Sequence, residues 1–338
     1  MSAIAYLFKV ASSLLGTKET KTATTQLNIL DIAPHTVVTP QFIETLQQHR
    51  LLLVDSLHCS FVYNNGANCD QKVELRESKY YNGDGYEYYC PIHGGHISIR
   101  TGSWFAGRRL SISQQLYIFH LLRSAASTKT VIKFFDEDKL CRNTVNKILH
   151  DLQHRMWVKL CANHIPTFTP GDELEIDEMW MDWKQNDNVV GPAAHFKEWE
   201  SGQWIIGLTD RKHSKLWIEC IPNRKKETIQ KVVDPMLKQW LLRYPRIYTD
   251  ALKSYEYLSK ENTHYVINKK QDGFGIQQTT FWGHTIDINV NRIENTWMHL
   301  RKHLSMRYAY SSPQFAQLHI AEFMYIWYKL EWYDLINT

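Results

Sequence analysis

Leu174-Glu175-Ile176-Asp177-Glu178-Met179-Trp180 has the apolar spacing of a β-strand, yet acids interrupt it. A strand inside a sheet rarely holds an acid unless that acid is paired or binds a metal. Two more acids fall at similar places. Asp250 closes the apolar run Arg246-Ile247-Tyr248-Thr249, and Glu294 lies in Asn291-Arg292-Ile293-Glu294-Asn295-Thr296-Trp297, 44 residues later (294 minus 250). In the latter segment Ile293, Trp297, Leu300 and Leu304 recur at i, i+4, i+7 and i+11, one apolar stripe of a helix that Glu294 flanks.

Working outward, residues 174–180, 203–209 and 216–221 read as three strands and 228–240 as a helix carrying Ile229, Val232, Val233, Met236, Leu237 and Trp240. A fourth strand covers 246–249, a short helix 251–258 and a fifth strand 264–268. Helices at 292–304 and 313–335 follow. Three strands, helix, strand, helix, strand, helix is the element order of a ribonuclease H-like α/β domain, expected over residues 170–338. It places Asp177 and Asp250 on strands and Glu294 on a helix packed against them. Phosphodiester cleavage needs an activated oxygen nucleophile and neutralised phosphate charge, and two Mg²⁺ (or Mn²⁺) ions held by carboxylates supply both. Asp177, Asp250 and Glu294 are therefore the expected catalytic and metal-binding residues. Glu178 and Asp182 are neighbours of Asp177, but strand alternation turns Glu178 to the other face. Glu175 shares the face of Asp177 and is a weaker alternative, and Asp287, in a loop-like stretch, ranks below it.

The amino-terminal half reads differently. Residues 1–40 are expected to be a tail and linker, with Thr and Lys concentrated between 18 and 26. Residues 40–53 pattern as a short amphipathic helix. Residues 57–105 have strand-and-turn character, with turns at Asn64-Asn65-Gly66 and Asn82-Gly83-Asp84-Gly85. Cys59 and Cys69 form one pair, and Cys90-Pro91-Ile92-His93 a compact second. A CxxH spacing suits two ligands of one Zn²⁺, so a zinc-ribbon-like module is expected over 41–108. His58 or His96 are alternative ligands to Cys59 or His93, and unliganded cysteines in a small β-layer are the plainer reading. Residues 111–123, 128–135 and 142–156 read as three helices, a helix-turn-helix-like module within 109–165. Its last helix would enter the major groove, with Arg142, Asn143, Thr144 and Lys147 at the DNA-reading end. An ordinary three-helix connector is the alternative. Pro166 and Pro170 mark a boundary before the catalytic domain. Basic groups at Arg211, Lys212, Lys215, Arg224, Lys225, Lys226, Arg301, Lys302 and Arg307 are phosphate-gripping candidates, chief among them Arg301 and Lys302.

Composition sets limits. A net charge of +4 over 338 residues is only mildly basic, so any nucleic-acid footprint is a local patch. Six cysteines in a long chain without a secretory signal favour a reducing compartment and a metal site over disulfides. No window reaches the roughly 20 apolar residues of a membrane span.

The residues around the acids also resemble a known family. Ile176-Asp177-Glu178, Gly202-Gln203-Trp204-Ile205-Ile206-Gly207-Leu208, Ile221-Pro222-Asn223-Arg224, Tyr248-Thr249-Asp250-Ala251-Leu252-Lys253-Ser254-Tyr255, His264-Tyr265-Val266-Ile267-Asn268, Asn291 to Trp297 and Ala321-Glu322-Phe323-Met324 resemble the Merlin superfamily of DDE transposases, kin to bacterial insertion-sequence (ISXO2-like) transposases. The resemblance spans about residues 90–330. It implies a ribonuclease H-like fold, catalysis by Asp177, Asp250 and Glu294, and cut-and-paste transposition at terminal inverted repeats. It also implies zinc-ribbon-like cysteines ahead of Ser98-Ile99-Arg100-Thr101-Gly102-Ser103-Trp104-Phe105. Expected partners are double-stranded DNA, both element ends and target, and further copies of the chain in a dimer or larger assembly. The expected compartment is the nucleus in a eukaryote and the cytoplasm or nucleoid in a bacterium. Two departures stand out. Residues 269–280 look like a short inserted surface loop between the second and third acids. Tyr325-Ile326-Trp327-Tyr328 stands where the family often carries basic residues. A domesticated, non-catalytic DNA-binding protein and a stand-alone ribonuclease H-like nuclease are the alternative functions.

Overall fold

The structure, a computed structural model, describes residues 38–52, 58–59, 61–63, 66–78, 84–135, 140–182, 202–212, 214–237, 245–260, 263–272, 275–279, 285–308 and 313–337. The tail and linker expected before residue 38 lie outside the described residues, as do Asn64, Asn65, Asn82 and Gly83 of the two expected turns and the last residues of the 228–240 helix. The chain is mixed α/β and divides into two compact units, Met1–Leu149 with Glu331–Thr338, and His150–Leu330. The division falls inside a long helix, ahead of Pro166.

In the first unit, helix α1 (Pro40–Gln48) starts at Thr39, whose hydroxyl accepts from the Phe42 N–H, with Pro40 in the first turn where its missing N–H costs nothing. Strands β1 (Glu74–Glu77), β2 (Tyr86–Tyr89) and β3 (His96–Ser98) form an antiparallel meander. Three helices follow: α2 (Ile112–Arg123), opened by a capping box of Ser111 and Gln114, α3 (Thr128–Lys133), capped by Ser127, and α4 (Arg142–Asn163). The expected stripe of Leu116, Phe119 and Leu122 is buried, as are Val145, Ile148 and Leu149. Asp84 joins sheet to helix: it pairs with the buried Arg100 and accepts from the Ile112 N–H at 2.9 Å.

The second unit is built on a five-stranded sheet of β4 (Glu173–Asp182), β5 (Gly202–Asp210), β6 (Leu216–Ile221), β7 (Arg246–Asp250) and β8 (Thr263–Ile267), in the order β6-β5-β4-β7-β8. The first three strands are antiparallel, while β7 and β8 run parallel to β4. Ile205, Ile206 and Leu208 are all fully buried, the continuous burial of a strand covered on both faces. Helix α5 (Lys226–Val233) and a 3-10 helix (Lys253–Lys260) pack together. Helices α7 (Asn291–Tyr308) and α8 (Ala316–Trp327) pack on β4, β5 and β6.

Three expected elements came out differently. The helix over 228–240 stops at Val233 because Pro235 lacks the N–H to continue it; a 3-10 turn follows, and Leu237 bridges Phe168 instead. Residues 269–280 are not a bare loop. They begin with a one-turn helix, α6 (Lys269–Asp272), and continue into β9 (Ile276–Thr279), which hairpins with β10 (Thr285–Ile288). The last helix is shorter than 313–335, with 3-10 turns at Pro313–Phe315 and Trp332–Leu335 around α8. In it Tyr325 is core, and the Tyr328 hydroxyl bonds both backbone groups of Leu216, at 2.8 and 2.5 Å, tying α8 to β6. Those positions serve packing here, which a basic residue would not.

Candidate active site and a cysteine–histidine cluster

Adjacent acids on β4 face opposite layers. Asp177 is buried, and its Oδ2 accepts the Trp297 indole N–H at 3.0 Å. Glu178 accepts the Tyr255 hydroxyl from the 3-10 helix on the other face. Trp297 reaches Asp177 because Gly207, paired with Asp177 on β5, has no side chain in the way. A Cβ there would lie 2.4 Å from the Trp297 ring and 2.8 Å from Ile293 Cδ1. Gly207→Ala is therefore expected to cost about 1–3 kcal/mol by overpacking and to push α7 off the sheet, measured as a lower denaturant midpoint with unchanged slope. A midpoint equal to wild type would refute this packing.

The start of α7 is held from the same strand. Glu175, fully buried, accepts from the backbone N–H groups of Arg292 (2.8 Å) and Ile293 (3.1 Å), the free donors of a helix N-terminus, and pairs with Arg211 at 3.1 Å. Burial pushes its carboxyl up against the pull of those N–H groups and of Arg211. Glu175 thus anchors the helix that carries Glu294. The strand period had put it on the face of Asp177, but its task depends on a helix 117 residues away. Glu294 itself is half-buried in the first turn of α7, one turn before Trp297.

Asp250 is the last residue of β7. The β4–β7 ladder pairs Glu173 with Arg246, Leu174 with Ile247 and Glu175 with Tyr248, and the same offset carried two residues further would set Asp177 beside Asp250. Parallel neighbours in register point to one face about 4.8 Å apart. The Oδ1 of Asp250 accepts the Leu252 N–H at 3.0 Å. Glu178, across the strand, feels both: burial first, then Asp177 and Asp250, push its carboxyl up to about 7, against the Tyr255 hydrogen bond and Arg224. Asp287 lies on the outer hairpin strand β10, where its carboxylate accepts from Gln277, and the Asp182 side chain is outside the described residues.

Residues 171–327 match the family model described as ISXO2-like transposase domain. This segment is a DDE transposase domain. The match covers all five strands of the central sheet and all three acids. No curated protein matches the chain.

Several basic residues of the transposase domain are committed inward. Arg211 bonds the carbonyls of Asp287 and Asn289 as well as Glu175, Lys215 pairs with Asp172 at 2.6 Å, and Arg307 is buried against Glu322. Glu322 also accepts from Tyr308 and from Gln153 at 2.8 Å, joining α4, α7 and α8. Arg301 and Lys302, by contrast, are exposed on α7, and Lys212, Arg224, Lys225 and Lys226 are exposed as well.

In the other unit, Cys59, Cys69, Cys90 and His93 bring one ligand atom each within 4.8 Å of one another. Cys69 Sγ lies 3.7 Å from Cys90 Sγ, and Cys59 Sγ 3.4 Å from His93 Nε2. Cys59 and Cys69 are ten residues apart (69 minus 59), and bridges His58–Lys72 and Val62–Asn68 bring the two ends of that stretch back together. Gly94 turns the Cys90–His93 segment at φ +73°, with its N–H on the Cys90 carbonyl. Burial alone would raise the Cys90 thiol, but the backbone N–H groups of His93 and Ile92 take it below the ordinary cysteine value. His58 pairs with Asp70, and His96 with Glu87 and Arg76, so both alternatives are engaged elsewhere. At the start of α4, Arg142 and Asn143 are exposed, Thr144 is half-buried and Lys147 is exposed. Thr128 on α3 donates to Asn146 at 3.0 Å, bracing the two helices.

Proposed function

We propose that this chain is a Merlin-type DNA transposase that cuts at terminal inverted repeats and joins the freed ends to target DNA. The observation that carries the reading is the convergence on β4: Trp297 bonds Asp177 from the helix that bears Glu294, and Asp250 ends the strand that pairs in parallel with the start of β4. The strand order, with three antiparallel strands followed by two parallel ones, supports a ribonuclease H-like domain. Three hard oxygen donors fit Mg²⁺ or Mn²⁺, which keep water and substrate oxygens as their other ligands. Asp177, Asp250 and Glu294 would hold two such ions, which supply an activated oxygen nucleophile and neutralise charge on the transferring phosphate. Asp177 is oriented for this by Trp297, and Asp250 by the Leu252 N–H.

The cluster Cys59, Cys69, Cys90 and His93 would hold one structural Zn²⁺. With Zn–S near 2.3 Å and Zn–N near 2.0–2.1 Å, tetrahedral ligand edges come to about 3.5–3.8 Å, close to the separations found. Helix α4 would present Arg142, Asn143, Thr144 and Lys147 to duplex DNA, in the manner of a helix-turn-helix, while Arg301 and Lys302, on the helix that bears Glu294, would grip phosphates. Two ends must be joined at once, so the working form is a dimer or larger. Among the described residues no helix is long and apolar enough to cross a membrane. The proposed compartment is the nucleus, or the nucleoid of a bacterium.

The test is a labelled terminal-repeat duplex. Binding without metal should weaken steeply with salt, and Mg²⁺ should produce nicks at the repeat boundary followed by joining to a second duplex. Binding without nicking would leave a non-catalytic DNA-binding protein; nicking of RNA–DNA hybrids in preference would leave a nuclease.

A further inference from the structure

The β4–β7 ladder stops short of the acids. Its last rung joins Glu175 to Tyr248, so Asp177 and Asp250 lie two residues beyond it. Ligand sites of open sheets sit at such carboxyl ends, but carboxylates that must share a metal need their separation held. Beyond that last rung the Tyr255 hydroxyl donates to Glu178, the residue after Asp177. Tyr255 is 1% exposed, and the turn joining it to Asp250 is tied at each step. The Leu252 N–H bonds the Asp250 carboxylate, the Tyr255 N–H bonds the Leu252 carbonyl, and Ser254 Oγ bonds the Arg224 carbonyl at 2.7 Å. The Tyr255 phenol is held well above its ordinary value by burial and then by Glu178, with Asp177 and Asp250 contributing, as expected of a group lodged behind both acids.

We infer that Tyr255 is a positioning residue: its hydrogen bond to Glu178 joins β4 to the turn that follows Asp250 and sets the spacing of Asp177 and Asp250 for metal. This inference rests on the metal-dependent reading above. Neither Tyr255 nor Glu178 need touch metal or DNA; they act through the backbone of the acids they follow.

The experiment measures Mn²⁺ binding to the full chain without DNA, from loss of the free-ion paramagnetic resonance signal. Tyr255→Phe, which removes one hydroxyl, is expected to weaken Mn²⁺ about tenfold, the scale seen when a supporting hydrogen bond behind a metal ligand is lost. The Mg²⁺ concentration for half-maximal nicking should rise by a similar factor, with the rate at saturating Mg²⁺ restored to within threefold. Glu178→Leu is the second variant. It should weaken Mn²⁺ at least as much, and adding Tyr255→Phe to it should cost less than twofold more, since a broken pair cannot be broken twice. Unchanged Mn²⁺ affinity in Tyr255→Phe, or a full tenfold further loss in the Glu178→Leu background, would overturn the inference. Asp177→Ala separates this from failure of the underlying reading: if that variant binds Mn²⁺ like wild type, the metal site itself is wrong.

Discussion

Asp177→Asn is expected to abolish Mg²⁺-dependent nicking while leaving the fold and DNA binding in place. Asn keeps an oxygen for the Trp297 indole N–H and removes only the charge. Asp177→Ala should be equally inactive but less stable. It leaves a buried indole N–H without its acceptor, at about 1–3 kcal/mol. If the three carboxylates hold the metals as proposed, losing one forfeits several kcal/mol of transition-state charge stabilisation, so the expected fall in rate is about a thousandfold or more. Glu294→Gln should behave like Asp177→Asn, because α7 is anchored independently through Glu175 and Trp297. The readout is single-turnover nicking of a labelled terminal-repeat duplex, with binding measured on the same samples. Nicking within tenfold of wild type in Asp177→Asn would remove Asp177 from the chemistry.

If Cys59, Cys69, Cys90 and His93 hold zinc as proposed, chelation is expected to unfold the module around them. A structural Zn²⁺ contributes on the order of 10–16 kcal/mol to a small module, as much as the roughly 5–15 kcal/mol that holds a typical domain together. The meander of β1, β2 and β3 is only three short strands, with Leu75 and much of β1 exposed, so it has little core to fall back on. Protein purified under reducing conditions should carry one zinc per chain. A strong chelator should lower its melting temperature, and added Zn²⁺, but not Mg²⁺, should restore it. Cys90→Ser should prevent the restoration. Absence of stoichiometric zinc, or a melting curve indifferent to chelator, would leave these four residues as an unliganded cluster. The outcome also bears on DNA binding, since Asp84 links the end of this meander to the first of the three helices.

The acids were legible because their chemistry conflicts with their surroundings. An acid in a run such as Ile176-Asp177-Glu178-Met179 announces a partner, and strand alternation correctly separated Glu178 from Asp177. The compact Cys90–His93 pair was legible in its spacing, and the structure brings it together with Cys59 and Cys69. Less visible were groups whose role is set by something distant in sequence. Glu175 looked like a weaker copy of Asp177, yet it accepts from the first N–H groups of α7. Glu322 lay in a segment quoted only for its resemblance, and it proved to be the buried acceptor for Arg307, Tyr308 and Gln153. Arg211, Lys215 and Arg307 counted as free cations until the fold showed each engaged with an acid.

What the sequence by itself determined is the order of the five strands of the central sheet and of the main helices packed on them, because periods of 2.0 and 3.6 are local properties that each segment carries regardless of its neighbours. It also determined which acids stand where a sheet should be apolar. Only the tertiary structure decided which residues meet. The parallel pairing of β4 with β7, the bare Gly207 that lets Trp297 reach the sheet, and the contact of Cys59 with His93 are all long-range pairings. Such pairings are selected by packing the whole core at once, and no local period encodes them.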